Sequence, residues 1–304
     1  RSLGNRNAPT AAYAAFVPPL QLHEDGVWRG GLFWDGRARD LEEQAGGPPL
    51  NPVEMALPDK AVVLQRLQEN ETYSQHFAEL FSPDALRDED QGFAAMTQAI
   101  AAYERSDTFA PFDSKYDRYL AGKAELSAEE ELGRILFFSQ QFTNCNQCHQ
   151  LRKSPMGAQE TFSDCSYHNI GVPRNPHVVS QAGMPESYVD AGLLANPAVQ
   201  DSAQRGKFRT PTLRNVAVTG PYMHNGVFQD LRTVVLFYNR YNSKAKAAQI
   251  NPESGATWGP APVPETLSAK ELSHGPALDA RRVDALVAFL KTLTDQRYED
   301  LLAQ

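Results

Sequence analysis

Five consecutive residues constrain this chain more than any others: Cys145-Asn146-Gln147-Cys148-His149. Two thiols at this spacing, with a histidine directly after the second, form the pattern that attaches haem c. The thiols add across the vinyl groups and the adjacent imidazole reaches the iron. Two other readings compete. A thioredoxin-like C-x-x-C needs a βαβ context, and strand-like alternation is scarce here. A zinc site needs a second Cys/His pair, which Cys165 and His168 would supply. With only three cysteines, the chain has no disulfide framework to build on.

A haem needs an apolar casing, and the composition supplies one. The 304 residues are 41% hydrophobic and 22% charged, which suits one large or two smaller globular domains. No run approaches the ~18 apolar residues of a membrane helix. A net charge of −8 gives no support to nucleic-acid binding. The 21 prolines and 20 glycines predict long loops between short helices. Apolar spacing predicts helices over 60–70, 91–105, 230–241 and 279–293, and a capping box from Ser127 to Glu130 opens another that runs to Phe138. The expected fold class is all-α. The stretch from Ala110 to Gly122 lacks a strong apolar face, so the expected division falls between 1–121 and 122–304.

An internal repeat adds more. Ala8-Pro9-Thr10 and then Phe33-Trp34-Asp35-Gly36 through Asp40-Leu41 are matched by Thr210-Pro211-Thr212 and then Met223-His224-Asn225-Gly226 through Asp230-Leu231. Asp-Gly and Asn-Gly each make a tight turn, and Asp40 and Asp230 are natural N-caps. Trp34 falls opposite His224. A repeat of this kind implies one haem per half. The motif for the first half is expected upstream of Arg1; the plainer reading is a chain that binds a single haem.

The sixth ligand to the iron on His149 has several candidates: His168, His177, His224, Met156, Met184, Met223 and Tyr238. Leu231, Val234, Val235 and Tyr238 share one helical face, which turns Tyr238 inward. A phenolate binds ferric iron, Met suits a high-potential carrier, and a plain core tyrosine remains the alternative. The first-half position matching Tyr238 is Pro48, which has no ligand atom, so that iron keeps an open face able to bind peroxide. Gln44 and Glu54 flank Pro48 and suit hydrogen bonding and proton transfer there. A helix-surface Gln and an exposed loop Glu are the bland alternatives.

These segments, with Leu132-Gly133-Arg134-Ile135-Leu136-Phe137-Phe138, His168-Asn169-Ile170-Gly171-Val172 and Thr210-Pro211-Thr212-Leu213-Arg214-Asn215, resemble the bacterial di-haem cytochrome c peroxidase and MauG family over nearly the whole chain. The resemblance implies two cytochrome c-like haem domains, the first catalytic and the second storing electrons. It implies that Trp34 relays electrons between the haems, that Gln44, Pro48 and Glu54 line the peroxide pocket, and that His224 lies beside the second haem. It implies a calcium ion between the domains, bound by Asn7 and the carbonyls of Thr219 and Pro221, and a periplasmic location. MauG-like members carry Tyr at the place of Tyr238, whereas peroxidases that draw on small cytochromes carry Met. In MauG a surface Trp stands two residues before the second haem motif; Thr143 stands there now, so the MauG substrate does not carry over. Three functions follow: a peroxide-using di-haem enzyme that oxidises a partner protein or other donor, a peroxidase fed by a small cytochrome, and a mono-haem electron carrier.

Overall fold

The computed structural model describes residues 3–151 and 159–303. Its helices are α1 Leu41–Leu50, α2 Lys60–Gln68, α3 Glu71–Leu80, α4 Glu89–Glu104, α5 Lys115–Leu120, α6 Ala128–Phe138, α7 Pro176–Gln181, α8 Leu231–Asn239, α9 Ala269–Leu272 and α10 Ala280–Lys291. Most begin where a short polar side chain accepts a backbone N–H: Asp40, Asp59, Asn70, Asp88, Asp230 and Asp279 do so. Each such cap stabilises its helix by about 1 kcal/mol. The expected capping box between Ser127 and Glu130 is present, and Ser114 and Asp117 form a second. Among the described residues strand is confined to two antiparallel pairs of two residues: β1 Gln21–Leu22 with β2 Trp28–Arg29, and β3 Tyr167–His168 with β4 Phe208–Arg209.

The helices close over separate cores. In the earlier part α1 and α2 pack on α4, where Val63, Phe93 and Met96 are buried. In the later part α6 and α8 pack on α10 around Phe137, Phe162, Leu286 and Phe289. Tyr116 of α5, only 1% exposed, belongs to this later core although it precedes residue 122. Gly133 sets the α6–α10 approach: a Cβ there would stand 1.8 Å from the Ala285 carbonyl oxygen. Two helices this close meet backbone to backbone, which only glycine permits.

Residues 6–30 run as a strap tied to the later part. Arg6 pairs with Asp190 at 2.7 Å and with Asp35 at 2.6 Å. The Asn7 N–H donates to the His224 carbonyl, Gly30 to that of Cys165, and Arg209 to that of Trp34.

The sequence repeat is also a backbone repeat. Leu32 donates to the Ala38 carbonyl at 2.7 Å, and Tyr222 to that of Phe228 at 2.7 Å. Phe33 and Met223 are left-handed, with φ of 61° and 73°, and so are Gly36 and Gly226. Further upstream, Tyr13 and Asn215 match in the same way. Both have φ of 61° and lead into a short 3-10 turn, Ala14–Phe16 and Val216–Val218. Both also reach one carboxylate: the Tyr13 hydroxyl donates to Asp295 Oδ1 at 2.5 Å and Asn215 Nδ2 to its Oδ2 at 2.7 Å.

Candidate haem and redox site

A cavity of about 290 Å3 opens in the later part, and Cys145, Cys148 and His149 line it. The motif itself forms a 3-10 turn, Cys145–Gln147, in which the His149 N–H returns to the Cys145 carbonyl at 2.9 Å. This curl brings both thiols and the ring to one wall. Burial raises both thiols, that of Cys148 to about 12. His149 Nδ1 lies 3.1 Å from the Phe162 carbonyl. A carbonyl only accepts, so Nδ1 carries the proton and Nε2 keeps its lone pair for a metal. Burial lowers the His149 pKa, which keeps the ring neutral as a ligand should be.

The segment that offers this carbonyl is clamped by the Thr210–Asn215 stretch. Thr212 Oγ1 donates to the Thr161 carbonyl at 2.6 Å, and Arg214 Nε to that of Glu160 at 2.8 Å. Ser163 Oγ donates to the Thr210 carbonyl at 2.7 Å. Arg214 is itself 1% exposed and paired with Asp117. Sequence reasoning quoted Arg214 and Thr212 within a motif but gave them no role. It missed Phe162 because a backbone acceptor leaves no trace in residue type.

The α8 face points where its period predicts: Leu231, Val234, Val235 and Tyr238 all line the cavity. Among the described residues the Tyr238 hydroxyl has no hydrogen bond, and its electrostatic neighbours are Cys148, Cys145 and Tyr241. Burial raises its pKa, so without a metal it stays a phenol. The other candidates differ. His168 Nε2 is engaged by Ser166 Oγ at 2.7 Å and lies 3.4 Å from Cys148 Sγ. His224 stacks on Phe208 with centroids 3.6 Å apart. Met184 and Met223 line the cavity, His177 is exposed, and Met156 lies outside the described residues. Two thiols, a neutral imidazole and an unbonded phenol in an apolar cavity fit a covalently held haem. For zinc, no group of three His, Cys, Asp or Glu residues comes together among the described residues.

The repeat partners Trp34 and His224 meet, with ring centroids 6.5 Å apart. Trp34 Nε1 donates to the Asn7 carbonyl at 2.8 Å. Burial pushes His224 down to about 4, with Asp190 opposing and Arg6 assisting, so it is neutral near pH 7. Phe208 was missed by sequence reasoning. It lies in β4, which is too short to give a period.

A smaller cavity of about 120 Å3 lies between the strap and the later part, lined by Asn7, Tyr13, Trp34, Thr219 and Pro221 among others. The expected calcium residues are therefore together. Asn7 Nδ2 donates to the Pro221 carbonyl at 2.6 Å. The donors are oxygen atoms of the type calcium takes, provided the Asn7 amide turns its oxygen inward.

The earlier-half candidates are gathered differently. Gln44 and Pro48 lie in α1, and Glu54 follows in an exposed turn where Asn51 Nδ2 donates to it at 2.9 Å. Neither cavity includes them.

Comparison with known proteins gives consistent results. Residues 1–125 match the family model described as di-haem cytochrome c peroxidase. The methylamine utilization protein MauG of Paracoccus denitrificans is 51% identical over all of this chain and 78% of its own length. The MauG of Methylophilus methylotrophus is 32% identical over 70% of this chain and 55% of its own. Among solved structures, the di-haem peroxidase BthA of Burkholderia thailandensis has a TM-score of 0.80 and 32% identity, covering 97% of this chain and 73% of that one.

Proposed function

This chain belongs to the di-haem cytochrome c peroxidase and MauG family, and from that premise we propose that it is a periplasmic, peroxide-dependent oxidoreductase of the MauG type carrying two haems c. It uses hydrogen peroxide to oxidise a partner protein or another electron donor. When bound, haem supplies one-electron redox chemistry and a site at which peroxide is reduced. This sequence supplies the anchors for one haem, Cys145 and Cys148, with His149 as its proximal ligand.

The observation that carries the reading is the Tyr238 hydroxyl, unbonded inside the cavity that Cys145, Cys148 and His149 line. Tyr238 would ligate the iron of a haem held there, and an anionic oxygen ligand would hold the metal at a lower potential than a thioether. A closed, low-potential centre suits storage of oxidising equivalents better than uptake of electrons from a small cytochrome. Phe162, held by Arg214 and Thr212, orients His149 and fixes its tautomer. Trp34, against His224, carries electrons between the halves. In the earlier half Pro48 offers no ligand, and Gln44 and Glu54 bind peroxide and move its proton. Asn7, Thr219 and Pro221 hold calcium at the junction, and the halves divide near residues 121 and 122.

Resonance Raman spectra of the haem-loaded protein test this. The expected result is an iron–phenolate band that disappears in Tyr238→Met. A sulfur-ligated spectrum in the unmodified protein, with fast turnover of peroxide and reduced cytochrome c, would return the chain to the cytochrome-fed peroxidases. Intact mass and haem counting test the number of haems: one haem per whole protein would leave only an electron carrier.

A further inference from the structure

The junction at Asp295 contains a group that its repeat partner does without. In the later half Asn215 holds the carboxylate with an amide, and its Oδ1 also accepts the Asp295 N–H at 2.8 Å. In the earlier half the matching residue, Tyr13, does so with a phenol. An amide suffices for the hydrogen bond. A phenol adds a chemical property: it gives up one electron readily if its proton can leave at the same time.

We propose that Tyr13 and Asp295 form a buried proton-coupled redox pair that accepts an oxidising equivalent produced at the haems. The inference rests on the reading that peroxide oxidises the bound cofactor. One electron leaves the Tyr13 ring for the peroxide-oxidised haem system. The Tyr13 O–H bond breaks, a new O–H bond forms at Asp295 Oδ1, and a neutral phenoxyl faces a neutral carboxylic acid. When an electron-donor substrate returns one electron, the proton returns to Tyr13.

Four observations support this. First, the O···O distance of 2.5 Å lies in the range of charge-assisted O–H···O⁻ bonds, so the proton travels a very short way. Second, the Arg214 guanidinium stands 5.2 Å from the Tyr13 ring centroid. A cation there penalises a protonated radical cation, so electron and proton must leave together. Third, burial raises Asp295 above the usual carboxylate range and makes it the better base, with Tyr13, Asn215 and Arg214 opposing and Asp113 assisting. Fourth, Tyr13 is 2% exposed and lines the smaller cavity, while Trp34 lines both cavities and so stands in the wall between Tyr13 and the haem site.

The test is high-field EPR of the haem-loaded protein, freeze-quenched after mixing with hydrogen peroxide. The expected spectrum is a tyrosyl radical with one proton coupling that vanishes in D2O, and the radical is lost in Tyr13→Phe and in Asp295→Asn. Replacing Tyr13 by 3,5-difluorotyrosine keeps the ring and the hydroxyl, and fluorine couplings then appear in the radical. A radical unchanged in Tyr13→Phe, a fluorinated protein without fluorine coupling, or no organic radical although the Soret band responds to peroxide would each overturn the pair alone. A Soret band indifferent to peroxide would overturn the peroxidase reading and the pair with it.

Discussion

The turns at Leu32–Leu41 and Tyr222–Leu231 share a backbone and differ in their side chains. Each closes with the same carbonyl contact at 2.7 Å, each passes through a left-handed residue and then a left-handed glycine, and each ends on an aspartate cap. Trp34 occupies in one the place that His224 occupies in the other, and the two rings face each other. Beyond the turns, α8 presents Tyr238 to the larger cavity, whereas Pro48 of α1 lines neither of the two cavities described above. The backbone repeat thus provides two equivalent platforms, and a few side chains decide what each can do. The turn geometry depends on Gly36, Gly226, Asp40 and Asp230, which leaves the neighbouring side chains free to differ.

Four measurements break or sharpen that contrast. The largest effect is expected at the anchors. Cys145→Ser with Cys148→Ser removes the covalent haem of the later half, seen as a loss of haem mass from the intact chain, and abolishes peroxide-dependent oxidation. No change at Pro48 has an equivalent effect. Next comes packing. Gly133→Ala drives a methyl into the Ala285 backbone and is expected to cost about 3 kcal/mol or more in urea unfolding. Gly46→Ala, whose Cβ meets the edge of the Phe93 ring at 3.2 Å and no backbone, is expected to cost about 1 kcal/mol. Equal costs would mean that the two helix pairs are equally tight.

The third measurement uses the Trp34/His224 difference, since only one of the pair titrates. Burial lowers His224 from the ordinary imidazole value of 6.5 to about 4 in the folded chain, so the unfolded chain binds the extra proton between those pH values. Stability is therefore expected to fall by up to about 3 kcal/mol as pH drops from 6.5 towards 4, and His224→Phe flattens that slope in pH-dependent melts. The smallest effect tests the similarity itself. Asp40→Ala and Asp230→Ala each remove one cap and are expected to cost about 1 kcal/mol, alike within error.

The sequence was most legible where a side chain both marks a feature and performs it. Ser127 and Glu130 mark the start of α6 and cap it. The α8 period turned Tyr238 towards the cavity. The repeat in Asp-Gly and Asn-Gly turned out to be a repeat of turns. Legibility failed where packing decides. Helix α3 buries none of its residues fully, and its Phe77 reaches the core of Val63, Phe93 and Met96 from the edge. Tyr116 looks isolated in sequence because its partners, Phe162 and Phe289, come from distant segments. Phe162 acts on His149 through its carbonyl, which every residue has. Gln44, Pro48 and Glu54 came from the repeat and the family resemblance, and their local geometry adds little.

The strap has a consequence for how the chain is made. Residues near the beginning are translated first, yet their partners come late: Arg6 waits for Asp190, Asn7 for His224, and Tyr13 for Asp295. Residues 6–13 therefore leave the ribosome without their docking surface and cannot settle until Asp190, His224 and Asp295 have followed them. Contacts so distant in sequence slow folding, and the growing chain carries exposed apolar side chains in the meantime.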